Sequence, residues 1–384
     1  MTICAQKNLD LPLLRPTYAK IDLKALKFNL LKAKRICAQK NIVPKIMLLV
    51  KANAYGHGAD LISTYAQKNN LCDAFAVASI EEGVSLRNIG ITKPILVLGS
   101  IFPFECFEYA LKYNLSVAVA SVRAAKFIVK LANKLKIVAK CHVKQETGMG
   151  RIGSRRPAAL EILRVLNKGG KYICVEGCFS HFSSADGKKT EDKKYTLKQL
   201  EYFKEFLCQA KAEGLNTGLA HISASSGFIN YPKYSFDMVR LGHLAYGLEK
   251  GYKPVLSLHS KIVFIKDVRK GACISYGRRH CCKRPSKIAT IPLGYGDGFL
   301  RSLGNKASVL IEGKKCPIVG NITMDMLMAD ITKLGDIKVG SSVVIIGEQK
   351  KQKISALDLA EIADTIDYEI LTLLNKRIPR IANV

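Results

Sequence analysis

Eight apolar runs of strand length follow one another between Ile46 and Arg240, and a stretch long enough for an amphipathic helix separates each from the next. The runs are 46–50, 74–79, 95–99, 116–120, 138–144, 173–179, 219–222 and 237–240. Near-continuous hydrophobicity marks strands buried on both faces, the condition of a parallel sheet covered by its crossover helices. Eight such βα units predict an α/β chain whose N-terminal part closes into a (β/α)8 TIM-like barrel.

The helical alternation stops near Lys253. Beyond it, 255–268, 286–292, 307–311, 315–319 and 342–346 read as strands joined by glycine-containing turns, followed by a helical segment over 355–365, residues 368–377 and the terminal "RIPRI". We therefore expect two domains, 1–253 as the barrel and 254–384 as a mainly-β domain. A short strand at 17–22 precedes a helix over 23–39 and is expected to pack on the β domain. The residues before it are expected to be unstructured.

No run reaches 18 uncharged apolar residues, and the N-terminus lacks a basic region followed by an apolar one. The expectation is a protein that stays in the cytoplasm and does not enter a membrane. Twelve cysteines are scattered without a C-x-x-C pair, which fits reduced thiols. His280, Cys281 and Cys282 form a possible zinc trio, but no second cluster stands at finger spacing, so no metal is expected. The net charge of +29 raises nucleic-acid binding. The lysines are spread along every helix, with no basic block interleaved with aromatics, so we read a solvated basic surface that draws in anions.

Barrel enzymes assemble their chemistry in the loops after the strands. Lys51, Lys144, His181, Ser225 and Arg240 stand there, all polar and four of them potential cations, a set suited to a phosphorylated anion. Lys51 follows the apolar run ending at Val50. Among apolar neighbours a lysine loses hydration of its charged form, its pKa falls, and its free amine can add to an aldehyde. The bland use of such a residue is to snorkel at a strand end. Gly148-Met149-Gly150-Arg151-Ile152-Gly153 matches G-x-G-x-x-G, yet it begins several residues beyond its strand and lies mid-alternation, which speaks against a dinucleotide site.

The segment "VKANAYGHG" at 50–58 resembles the pyridoxal-phosphate lysine segment of bacterial alanine racemases, and further motifs continue the resemblance in order from about Arg15 to Arg380. The resemblance implies pyridoxal 5′-phosphate on Lys51, with Tyr55, Ser225, Arg240, Gly242 and His243 around the cofactor. Arg240 in "MVRLG" would face the pyridine nitrogen and, because a guanidinium keeps its protons, favour a neutral ring. In "KQETGMGRIG", Arg151 would hold the substrate carboxylate. Lys144 stands where some members carry a carbamate beside that arginine; otherwise Glu146 could serve as its anion.

Tyr276 in "ISYGRRH" is the second base implied by the family. A phenol is ordinarily protonated at neutral pH, so nearby cations must favour its anion. By resemblance His181 is its hydrogen-bond partner, linked in turn to Arg240. Met324 and Asp325 match the loop that closes over the substrate, and Tyr295 a tyrosine at the mouth of the site. The family pattern is a head-to-tail homodimer in which the partner supplies the tyrosine and the Met–Asp loop. The implied activity is interconversion of L- and D-alanine, with Lys51 serving the D-alanine face and Tyr276 the L-alanine face, supplying D-alanine for peptidoglycan. The chain departs from the family at Ala224, His243 and Lys376. Rival readings are a racemase of another amino acid such as serine, a fold-related decarboxylase, and a non-catalytic pyridoxal-phosphate binding protein. The β domain argues against the last.

Overall fold

A computed structural model describes residues 13–39 and 43–383. The segment before Leu13, expected to be unstructured, lies outside the described residues. The chain forms two compact units. One contains residues 27–52 and 62–245; the other contains the described residues 13–26, 53–61 and 246–383.

The first unit is the barrel. Its eight parallel strands are Lys45–Leu49, Ala74–Val77, Ile95–Val97, Ser116–Val119, Ala139–Lys144, Ile173–Phe179, Leu219–His221 and Met238–Leu241, and the first seven lie side by side in sequence order. Lys45–Leu49 also pairs in parallel with Met238–Leu241, so the last strand returns to the first. The remaining seam is closed between Ala224 and Arg240 and by the Asp237 amide, which donates to Ala220 O at 3.0 Å. The strands are short and almost wholly buried, as their apolar composition requires. Intervening helices carry their own stop and start signals. Ser79 and Ser121, for example, cap Ile80–Asn88 and Val122–Leu135 by accepting from the backbone amides of Glu82 and Ala124.

The second unit is strand-rich. Its larger sheet runs in the order Lys314–Pro317, Ser308–Ile311, Ser342–Gln349, Leu256–Lys261, Tyr18–Asp22, Arg380–Asn383, with Gln352–Ile354 also on Ser342–Gln349. Tyr18–Asp22 thus sits between the strand opening the C-terminal region and the last strand of the chain. A three-stranded sheet joins Phe264–Val268, Ser286–Ile291 and Leu327–Asp330.

Three sequence expectations need correction. The run over 255–268 is two strands, because the chain leaves the larger sheet after Lys261 and enters the smaller one at Phe264. Leu327–Asp330, Gln352–Ile354 and Arg380–Asn383 are additional strands, each three or four residues long and held by neighbours distant in sequence or by a tight turn. The cysteines are not all thiols: Cys273 and Cys281 form a disulfide across the hairpin Cys273–Ile274/His280–Cys281. Among the described residues there is no cluster of metal-ligating side chains, and no helix is long and apolar enough to cross a membrane.

Candidate active site

Lys51 opens a single turn, Lys51–Tyr55, that follows the first barrel strand. φ lies between +50° and +54° from Ala52 to Tyr55, so this turn is left-handed. For non-glycine residues that region costs about 1–2 kcal/mol each, and strain of this kind collects at functional sites. Glu82 helps to hold the entry to the turn: its carboxylate accepts from the Ala52 and Ala78 amides, both at 2.7 Å. In the β unit the segment continues with Asn53 accepting from Gly58 and Ala59, and with His57 buried against the carbonyls of Ala54 and Tyr55. Burial pushes His57 down to about 4, against those two hydrogen bonds. Tyr55 packs between Tyr246 and Tyr368, where burial pushes its phenol up to about 12.

The barrel unit gathers its cations around Lys51. Burial, then Arg151 and Arg240, lower the Lys51 pKa, with Glu82 opposing them. Lys144 is only 5% exposed, with its Nζ 4.4 Å above the Phe179 ring. Burial first, then Arg240 and Arg151, hold its amine well below the usual lysine range, against the pull of Glu146. The Glu146 carboxylate is already occupied, since it accepts from the Gly148, Met149 and Gly150 amides. Those amides and Lys144 keep it below the usual range despite its burial.

Arg240 is the hub of the site. It is 3% exposed and donates to the carbonyls of Ser180, His221 and Ile222 and to two imidazoles, His221 Nδ1 at 2.7 Å and His181 Nδ1 at 3.1 Å. Burial and Arg151 push it down to about 9, so it remains a cation at neutral pH. A guanidinium has no lone pair to offer, so each imidazole must present its own. His181 therefore carries its proton on Nε2 and can donate away from Arg240. Burial, then Arg240, Lys144, Arg151 and Lys51, keep His181 well below its usual pKa.

The same logic runs through the barrel interior. His221 Nε2 must carry the second proton, and it faces His142 Nδ1 at 3.0 Å. His142 Nε2 then faces Glu176 at 3.6 Å, and Ser116 Oγ also donates to that carboxylate. Burial, with Arg240, keeps His221 well below its usual pKa and hence neutral. Gly177 makes room for the relay, because a Cβ there would meet His142 Nδ1 at 2.4 Å. Sequence reasoning missed Glu82, His142, His221 and Glu176. For His142, Glu176 and His221 the available signal was polar residues within otherwise apolar strands, while Glu82, on a helix, had none of that kind.

Ser225 accepts from the Gly242 and Leu244 amides at 3.3 and 3.2 Å, which leaves its hydroxyl proton for another acceptor. Ala224, at the N-cap of Ser225–Asn230, makes no side-chain cap, in keeping with its departure from the family. His243 adjoins this turn and is partly buried.

The β unit carries the other candidates as one loop cluster. Tyr276 is 74% exposed on the loop closed by the Cys273–Cys281 disulfide. Ile274 and Cys282 anchor that hairpin in a small core with Ile288, Val319 and Met328. Ser275 donates to Asn321 O at 2.6 Å and Asn321 donates to Tyr276 O at 2.8 Å, tying this loop to the one that carries Met324. The Tyr295 and Gly296 amides donate to Thr323 O and Met324 O. Arg377 bridges Asp325 at 2.7 Å and Asp297 at 3.4 Å. Met324 and Tyr295 are 54% and 43% exposed.

This combination of barrel and β unit is matched by known proteins. Residues 21–250 match the family model for the alanine racemase N-terminal domain, and residues 255–382 that for the C-terminal domain. The alanine racemase of Halothermothrix orenii is 42% identical over 375 residues, covering 95% of this chain and 96% of that protein. That of Clostridium novyi is 40% identical over 380 residues, covering 96% and 95%. The chain belongs to the alanine racemase family. Among solved alanine racemases, that of Clostridium difficile 630 superposes with a TM-score of 0.89 at 37% identity, covering 97% of both chains. The Bacillus anthracis enzyme, solved with bound L-Ala-P, gives 0.89 at 34% identity, covering 97% and 96%. As an alanine racemase, the chain is an isomerase that interconverts the enantiomers of alanine.

Proposed function

We propose that the barrel unit holds pyridoxal 5′-phosphate on Lys51 and that Tyr276 of a second copy completes the site of a two-base alanine racemase. The observation that carries this reading is the desolvated Lys51 amine in the field of Arg151 and Arg240, two guanidinium cations that call for an anionic ligand. The residues fit the group. Lys51 offers an amine of lowered pKa, Ser225 a spare hydroxyl proton for a phosphate, and Arg240 a donor that would leave a pyridine nitrogen unprotonated. When bound, the cofactor supplies an electron-withdrawing ring that acidifies the Cα–H of an amino acid joined to its aldehyde carbon.

In this reading Arg151 orients the substrate carboxylate, and Lys51 takes or returns the proton on the D-alanine face. Tyr276 does so on the L-alanine face. His181 Nε2–H, fixed by Arg240, donates to the phenolic oxygen and favours its anion. The exposure of Tyr276 and Met324 in a single chain supports their use across a homodimer interface, with Tyr295 and Asp325 shaping the mouth. Among the described residues nine cysteines are free thiols against two in a disulfide, a balance that suits a reducing cytoplasm, where D-alanine would feed peptidoglycan synthesis.

Arg151 then needs an anion, and Glu146 is taken by the loop amides. We assign that role to a carbamate on Lys144. Its unprotonated amine adds to carbon dioxide, an N–C bond forms, one N–H proton leaves to solvent, and a carboxylate results. Protein equilibrated with ¹³C-bicarbonate should show one carbamate carbon resonance per chain that is missing from Lys144→Met. A resonance that survives the substitution, or none in the native protein, rejects the assignment.

The reaction itself is tested by incubating the protein with L-alanine in D₂O. Each inversion that passes through a proton-free α-carbon should place one deuterium there, so loss of chirality and α-deuteration rise together. Deuteration with retained chirality would overturn the two-base reading.

A further inference from the structure

Ser79-Ile80-Glu81-Glu82 opens helix Ile80–Asn88 with the S-x-x-E spacing of a capping box, in which the glutamate turns back to the amide of the serine. Only the first half of the box forms here. Ser79 Oγ accepts from the Glu82 amide at 3.4 Å, whereas the Glu82 carboxylate reaches away from its own helix: Oε1 accepts from Ala52 N and Oε2 from Ala78 N, both at 2.7 Å.

Both amides lie at strand ends, where a barrel keeps its chemistry. The ladder joining Lys45–Leu49 to Ala74–Val77 extends to the bond from Val50 N to Ala76 O at 2.9 Å, and Ala52 and Ala78 each stand two residues beyond those atoms. Backbone donors past the end of a ladder need an acceptor from elsewhere. Glu82 supplies it for both, one oxygen to each, so its charge is fixed beside the residue that follows Lys51.

A neutral side-chain oxygen could also accept from an amide, so the charge needs its own reason. Burial, Arg151 and Arg240 all work against a proton on Lys51, while Glu82 works for it. His181 feels the same cations and is held neutral, so it brings no charge to the balance. An amine that binds its proton too weakly is a poor base toward carbon.

We propose that Glu82 is a positioning residue for Lys51: its carboxylate locks the turn that presents the amine, and provides the fixed negative charge that lets this amine hold a proton in the field of two guanidiniums. The purpose served, proton transfer at a substrate carbon, rests on the reading of Lys51 given above. The coupling of Glu82 to Lys51 does not.

Competitive acetylation measures that coupling. The cofactor-free full chain is labelled with trace acetic anhydride from neutral to alkaline pH, and acetylation of the peptides carrying Lys51 and Lys144 is followed by mass spectrometry. Glu82→Gln should weaken proton binding at Lys51 by about ten-fold, the effect of losing one nearby opposite charge. Lys144, whose charged neighbours are Arg240, Arg151 and Glu146, should be unmoved. A merely structural role predicts the opposite sign, because a loosened turn admits water and strengthens proton binding. Ser79→Ala removes the helix cap and neither Glu82 contact, so Lys51 should keep its native titration. Glu82→Ala should speed amide hydrogen exchange at the start of the turn by about ten-fold or more, the loss of a charge-assisted hydrogen bond. Unchanged or tighter proton binding in Glu82→Gln, an equal shift in Ser79→Ala, or unchanged exchange in Glu82→Ala would overturn the proposal. These results stand whichever lysine carries pyridoxal phosphate, which the site of borohydride reduction in the loaded chain decides separately.

Discussion

Lys51→Ala is expected to lower alanine racemisation by roughly 10⁴-fold, the upper end of what one positioned proton-transfer group contributes, because the same amine also anchors the cofactor. Borohydride reduction followed by digestion and mass spectrometry should find a pyridoxyl group on the peptide containing Lys51 in the native chain and on no peptide of the variant. Lys144 is the obvious competitor, since its pKa is also strongly lowered. A pyridoxyl group on Lys144, or retained on Lys51's neighbours after substitution, would show that another lysine holds the cofactor. Access favours Lys51 for this role. It is less buried than Lys144, so a ligand can reach it, and Glu82 keeps the turn behind it in its left-handed form.

Tyr276→Phe keeps the ring and removes only the oxygen. Loss of the α-proton from L-alanine should slow by about 10²–10⁴-fold, while loss from D-alanine, served by Lys51, changes much less. Equal slowing of both directions would refute the two-face assignment. The variant also tests who supplies the tyrosine. Tyr276 is three-quarters exposed on a hairpin that two buried side chains, Ile274 and Cys282, anchor, an arrangement that fixes the loop and leaves the phenol to be used elsewhere. If each site draws its two bases from different copies, mixing Lys51→Ala with Tyr276→Phe chains should rebuild one intact site in each mixed dimer. Random exchange would then recover about a quarter of native activity from two inactive parents. No recovery, with exchange of chains verified by mass, would place both bases in one copy.

The hydrogen-bond relay from Arg240 through His221 and His142 to Glu176 gives the buried guanidinium a counter-charge two imidazoles away. Burying a cation without compensation is costly, and no carboxylate touches Arg240 among its hydrogen-bond partners. The relay fixes the proton on each of its rings, and Arg240, by donating directly to His181 Nδ1, sets the direction in which His181 can donate.

Much of this protein is written locally. Eight buried apolar runs separated by helix-length stretches, two of whose helices begin at capping serines, specify a barrel because burial on both faces leaves a strand little alternative. The polar residues that follow those runs, Lys51, Lys144, His181, Ser225 and Arg240, are legible for the same reason: a strand end fixes where the next side chain emerges. What only the tertiary structure decided depends on partners far apart in the chain. Leu327–Asp330 is a strand because Ser286–Ile291 pairs with it, and Arg380–Asn383 because Tyr18–Asp22 does. The left-handed turn after Lys51 contradicts the preference of every residue in it except Asn53, and Glu82, thirty positions away, helps to hold it. His142 and His221 are ordinary inward-facing residues until the barrel closes and brings them within 3.0 Å, with Gly177 leaving the space between. Local preferences select the elements; proton positions and strained turns follow from contacts that exist only once those elements have packed.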